Sequence, residues 1–294
     1  MAVDLDNDEV FVSNGVPDGI PNVTVDRRTA SGTATPLRML VGPLTGLGPD
    51  RFLAVTTSPA PPIAGNTTVG LFRPGASTNT FYLWNSNSSV GPPDVTVALG
   101  APGDLPIVGD WDGNGTTTVG LFRPGTTTNT FYLWNSNSSV GPPDVTVALG
   151  APGDIPLAGD WDANGYLWNS NTPSGPPDVT IALGAPGDLP IVGDWDGNGT
   201  TTVGVYRPGN NTFYLFDGKP SGVTADIKLR YGAPGDLPVV GDWVGYTRST
   251  DGPFRPSTNT FYLWNYNSCC TIPDVSATLG APGDIPIVGD WDGL

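Results

Sequence analysis

The chain has 294 residues, with 28 acidic against 12 basic side chains, no histidine and a formal net charge of −16. That balance argues against nucleic acid or an anionic membrane as a partner. The missing histidine removes the commonest acid–base group and the commonest transition-metal ligand. Its 38% hydrophobic and 10% aromatic content can build a core, and its 41 Gly and 32 Pro fall between apolar runs, as closely spaced turns would.

In chain order, MAVDLDNDEV shows neither the basic region nor the apolar core of a secretory leader. No later run approaches the length of a membrane span. Residues 4–62 read as a worn unit, with an acidic turn DLDND followed by four candidate strands, EVFVSNG, NVTVDRR, PLRMLVG and RFLAVTTS. A repeat then becomes plain. LGAPGD stands at 99–104, 149–154, 183–188 and 279–284, and YGAPGD at 231–236. Residues 69–110 and 119–160 differ at only five positions, so the repeat reads as internal duplication. Six units follow: 4–62, 66–111, 116–161, 162–195, 200–243 and 246–291. A period near 48 residues is that of a propeller blade.

The unit at 116–161 predicts four short strands, TTTVGLF (116–122), TFYLWNS (130–136), DVTVALG (144–150) and DIPLAGDW (154–161). Within FYLWN, Phe131 and Leu133 face one way and Tyr132 and Trp134 the other. A strand apolar on both sides suits a sheet stacked between two others. The expected fold is all-β: a β-propeller-like repeat of about six mostly four-stranded blades, with an open or stacked β-repeat array as the alternative. Unit 162–195 is short. It passes from GDWDANG to YLWN without the VGLFRPG text, which implies a three-stranded blade or a gap filled by another chain.

The turn GDWDGNG at 109–115 reads as a hinge that ends one unit and starts the next. Alternating Asp110, Asp112 and Asn114, with Gly115 to fold the loop back and the Thr116 carbonyl, would offer hard oxygens to Ca²⁺. Thr118 falls where a closing carboxylate would stand. The same residues also suit a solvated turn in which Asp and Asn cap backbone amides.

GDWDGNG (109–115 and 193–199), GDWDANG (159–165), VGLFRPG (69–75 and 119–125), VGVYRPG (203–209) and FYLW (81–84, 131–134 and 261–264) together resemble the FG-GAP and VCBS-type repeats of bacterial surface proteins and integrin-like β-propellers. That resemblance covers about residues 62–294. It implies calcium in the acidic turns, held by Asp110, Asp112, Asn114 and Thr116, by Asp160, Asp162 and Asn164, and by Asp194, Asp196, Asn198 and Thr200. The chain departs from the family pattern in several turns. GDWVG at 241–245 has lost its second acid, and GDWDGL at 289–294 stops before its loop closes.

Arg73, Arg123, Arg207 and Arg255 each precede a proline. A donor fork at a repeated place predicts a repeated structural partner, such as a carboxylate at a blade junction or the Asp of GDW. The strand aromatics are expected in the core, and the tryptophans of GDW at module junctions. With Asn211 and Asn267 also taken as candidate glycosylation positions, Asn22, Asn66, Asn87 and Asn137 open Asn-x-Ser or Asn-x-Thr triplets. Asn114 and Asn198 do too, where a glycan would compete with metal. The adjacent Cys269 and Cys270 are free, joined in a strained vicinal bond, or paired with another chain.

No nucleophile–base pair or phosphate loop is readable, so catalysis is not expected. The sequence reads as an extracellular or cell-surface scaffold or adhesion module with a glycan or surface-protein ligand. The alternatives are a self-assembling filament or surface-layer subunit and a carbohydrate-binding lectin.

Overall fold

The computed structural model describes residues 66–87, 91–138, 141–159, 181–218, 224–267 and 272–293 in full, and strand backbone within 2–41. In that first stretch β1 (Ala2–Asp4), β2 (Glu9–Gly15), β3 (Pro21–Arg27) and β4 (Arg38–Val41) form one antiparallel sheet in sequential order.

Four further sheets share one plan of four antiparallel strands from an inner to an outer edge, and in three of them the strands follow chain order. One holds β8 (Leu105–Gly109), β9 (Thr118–Arg123), β10 (Thr130–Leu133) and β11 (Val145–Ala148). The next holds β12 (Leu189–Gly193), β13 (Thr202–Arg207), β14 (Thr212–Leu215) and β15 (Ile227–Arg230). Another holds β16 (Leu237–Gly241), β17 (Thr250–Arg255), β18 (Thr260–Leu263) and β19 (Val275–Thr278). The last combines β20 (Ile285–Gly289) with β5 (Thr68–Arg73), β6 (Asn79–Leu83) and β7 (Val95–Leu99). The inner strands meet in the order β12, β16, β20, β8. The molecule is therefore an all-β propeller-like repeat.

Burial explains the strand chemistry. LPIVG in β8 is buried at every position, whereas VTVA in β11 alternates between solvent and core. The inner strand is covered on both faces and reads as a continuous apolar run, while the outer strand alternates. Between them Phe122 faces Phe131, with ring centroids 4.8 Å apart and nearly edge-to-face. The pairs Phe72–Phe81 and Phe254–Phe261 repeat this at 4.9 and 4.7 Å. Each such pair contributes about 1 kcal/mol beyond its buried area.

Four complete blades of the repeat stand among the described residues. Residues 154–159 occupy a further inner position between β8 and β12. Leu157 joins the buried apolar cluster that holds Leu189 and Ile191 of β12, and Ala158 the cluster that holds Val108 of β8. The rest of that short unit, including Asp160, Asp162, Asn164 and Trp168, lies outside the described residues. One expectation changes: the GDW turn is not a hinge between modules. It is the hairpin that joins β8 to β9 within one sheet, where Gly109 pairs with Thr118. The step between blades is LGAPGD, so the sequence unit is cut one strand out of phase with the blade. That offset leaves β20 to fill the inner place beside β5, pairing Ile285 with Phe72 through to Gly289 with Thr68. The Thr68 hydroxyl also donates to the Gly289 carbonyl at 3.0 Å.

The tryptophan of GDW folds back over its own strand. A Cβ on Gly109 would lie 2.6 Å from the Trp111 ring, which is buried. Gly109→Ala should cost about 1–3 kcal/mol in a urea melt, because the ring has nowhere to retreat. Gly209→Ala, where an added Cβ meets nothing within 4 Å, should be nearly neutral.

Candidate functional site

The antiparallel registers sort the loops onto two ends. The GDW turns and the loops after TFYL share one end, and the RPG and GAPGD turns share the other.

At the RPG end each arginine has found its partner. Arg123 Nε and Nη2 donate to Asp104 Oδ1 and Oδ2 at 2.6 and 2.7 Å. Arg73 does the same to Asp284, Arg207 to Asp188 and Arg255 to Asp236. The partner is the Asp of GAPGD, not that of GDW. Each Asp side chain is at most 3% exposed, while each guanidinium keeps 29–42% of its surface in solvent. The same guanidinium lies over a tyrosine, Tyr82, Tyr132, Tyr214 or Tyr262, at 4.7–4.9 Å from the ring centre. Asp104 also closes its own turn by accepting the Ala101 amide at 2.7 Å. The repeated Arg–Pro pair is thus a staple between the first two strands of a blade. Its carboxylate pushes the arginine pKa up, with burial opposing.

At the other end the acidic turns are closed by their own backbone. Asp110 accepts the Asn114 and Gly115 amides at 3.1 and 2.8 Å, and Asn114 accepts that of Thr116 at 2.8 Å. Asp194 accepts the amides of Gly197, Asn198 and Gly199. Asn198 bonds both oxygens of Asp196, and its own Oδ1 accepts the Thr200 amide. The turn that lost its second acid keeps the motif, since Asp242 accepts the amides of Val244, Gly245 and Tyr246. Burial raises the pKa of Asp194 to about 6 against the pull of three amides, and Asp196 adds to the rise. Asp110 is raised by burial and by Asp112. Among the described residues no three His, Cys, Asp or Glu side chains converge as a metal cluster.

In three of the turns the first Asp also clips neighbouring blades together. The Thr117 amide donates to the Asp290 carbonyl at 2.7 Å, and the Asp290 amide donates to the Thr117 hydroxyl at 3.0 Å. Thr67 with Asp242, and Ser249 with Asp194, repeat this reciprocal pair at the same distances.

Other predicted residues fall into place unevenly. Asn87 and Asn137 are half-buried frame members: each accepts the amide of Val69 or Val119 and donates to the carbonyl of Thr67 or Thr117. Asn267 donates to the Ser249 carbonyl. Asn66 is exposed, and Asn211 adopts φ 54° in a turn. Asn22 is in β3, where only backbone is described. Cys269 and Cys270 lie outside the described residues. Trp84, Trp134 and Trp264 are buried, as are Trp111, Trp195, Trp243 and Trp291.

Sequence reasoning missed one place where departures from the repeat meet. Asp251 stands where Val69, Val119 and Val203 stand in the sister strands, and Tyr231 replaces the leucine of LGAPGD. Comparing the units position by position would have exposed both. Tyr231 stacks on Trp264 at 4.2 Å and donates its hydroxyl to the Asp251 carbonyl at 3.2 Å. The Asp251 side chain is fully buried, and neither of its oxygens has a hydrogen-bond partner. Burial raises its pKa to about 7, with Tyr231 and its own amide opposing.

No family model, curated protein or solved structure matches this chain.

Two outcomes follow from this geometry. Arg123→Ala leaves a buried carboxylate with fewer donors and should lower stability by about 1–2 kcal/mol by chemical denaturation. Because the folded pKa of Asp251 lies above its unfolded value, the neutral acid favours the fold at low pH. That contribution is lost as pH rises through about 7. Asp251→Val should therefore gain up to about 4 kcal/mol at pH near 8 and much less at pH near 4, measured as paired melts.

Proposed function

We propose that this chain is a non-catalytic scaffold that presents loops for binding or adhesion at an extracellular or cell surface, and that its acidic turns take up Ca²⁺ as in the repeats it resembles. What carries the reading is the division of labour between the two ends. At the RPG end the polar side chains staple the blades. The GDW end gathers Asp94, Asp110, Asp112, Asp144, Asp194, Asp196, Asp217, Asp226, Asp242, Asp274, Asp290 and Asp292 against Arg248 as its cation among the described residues. A rigid frame with one strongly acidic loop face suits recognition better than chemistry.

The donor set fits a weak calcium site in part. Burial disfavours the charge of Asp110 and of Asp194, and the nearby carboxylate of Asp112 or Asp196 adds to that cost. A divalent cation would relieve that cost. Asn114, Thr116, Asn198 and Thr200 can add neutral oxygens. Asp160, Asp162 and Asn164 would repeat the set in the unit outside the described residues. Two carboxylates per loop put the affinity in the weak range, around 10⁻⁴ M or above.

Calorimetric titration of chelator-treated protein with Ca²⁺ should show heat and a raised melting temperature. Both should shrink in Asp112→Asn/Asp196→Asn and weaken as pH falls through about 6, where Asp194 takes up a proton. The absence of heat and of any melting shift would remove calcium from the account and leave plain capped turns.

A further inference from the structure

Among the described residues three large apolar side chains stand well exposed: Tyr246 at 63%, Tyr266 at 57% and Ile272 at 77%. All belong to one sheet, β16–β19, and to its loops on the GDW end. Tyr246 occupies the place of Asn114 and Asn198, and Tyr266 that of Ser86 and Ser136. Two separate loops have thus each traded a small polar residue for tyrosine, and the two rings meet. Their centroids are 6.4 Å apart with planes tilted by 38°. Thr247 next to Tyr246 holds φ at 60°, where the sister turns use Gly115 and Gly199. A β-branched residue in that region is unfavourable.

The surroundings indicate which ligand suits the pair. Asp242 lies in the same turn as Tyr246, and the neighbouring sheet presents Asp196 and Asp217. Burial, and after it the charges of Asp196 and Asp226, push the Asp217 pKa up, and Arg248 acts against them. Arg248 is already engaged, donating to the Asp196 carbonyl at 2.9 Å. The chain also shows, four times over, what completes such a constellation: at the RPG end a guanidinium lies flat over a tyrosine and is held by an aspartate. At the GDW end the two tyrosines and Asp196 stand on the surface, Asp242 and Asp217 are half-buried, and the stacked cation is left for a partner to supply.

We propose that the Tyr246–Tyr266 pair is a docking site for an arginine-bearing basic segment of a partner protein, with the guanidinium stacked on the rings and the acidic rim steering its approach. A saccharide could stack on the same rings, but it has nothing to gain from the surplus of negative charge. A planar delocalised cation gains from both. The inference deepens the reading of the chain as a binding scaffold and is independent of calcium.

The test is titration of the full chain with labelled hexa-arginine, hexa-lysine, hexa-glutamate and a neutral chito-oligosaccharide at low and high salt. The comparison protein is Tyr246→Asn/Tyr266→Ser, which restores the residues of the sister loops and should keep the melting temperature. Hexa-arginine should bind the parent chain more tightly than hexa-lysine, and about tenfold more tightly than it binds the double variant. Salt should weaken binding to both proteins. Equal binding by parent and variant would mean that the acidic rim acts alone, and would overturn the proposal. So would preferential binding of the oligosaccharide, which would still leave a binding scaffold. Concentration-dependent sedimentation of the parent chain that the variant abolishes would identify a second copy as the occupant and overturn it as well.

Discussion

Each blade depends on its neighbours, because its two inner strands are buried on both faces and a single sheet of four short strands cannot cover them. The inner LPIVG strands show this most sharply, being buried at almost every position. Such a strand is stable only when a blade stands on either side. The pairing of β20 with β5 meets that need by joining residues more than two hundred positions apart. The reciprocal Asp–Thr or Asp–Ser clips then tie three of the inner turns, at Asp194, Asp242 and Asp290, to a neighbouring blade. Contacts of such long sequence separation cost loop-closure entropy and are expected to form late in folding.

Within a blade the arginine staple solves a different problem. The Asp of GAPGD is needed to close its turn, and its carboxylate is buried although the turn itself faces solvent. An arginine brought in by the adjacent strand neutralises the carboxylate, and a tyrosine covers the guanidinium. One constellation therefore serves turn closure, charge balance and packing, which is why the text recurs with so little change. Asp251 shows what happens without such a partner: a carboxylate placed among Tyr231 and the apolar wall is held towards its neutral form.

The repeat, the strands and the core were legible because they are written in periodic alternation and in punctuation by Gly, Pro and Asp. The blade boundary was not, because a unit cut at GDW looks complete in text although its last strand belongs to the next sheet. The role of Arg123 was legible as structural, but its partner was not. Two aspartates, Asp104 and Asp110, compete for it at similar spacing in sequence, and only the register shows that Asp104 begins the strand beside the arginine. The aromatic pair at 246 and 266 was hidden for the opposite reason. Each tyrosine is a departure from the repeat, and the proximity of two departures is a property of the fold alone.

The most direct test of this account is hydrogen exchange on a chain ending at Asp284, which lacks β20. If ring closure holds the blades together, amides of β5 should lose protection, and so should those of β8 and β16, which pack against β20. Unfolding should then become broad or begin at markedly lower temperature. Unchanged protection in β8 and β16, with loss confined to β5, would mean that each blade stands on its own and would contradict the account.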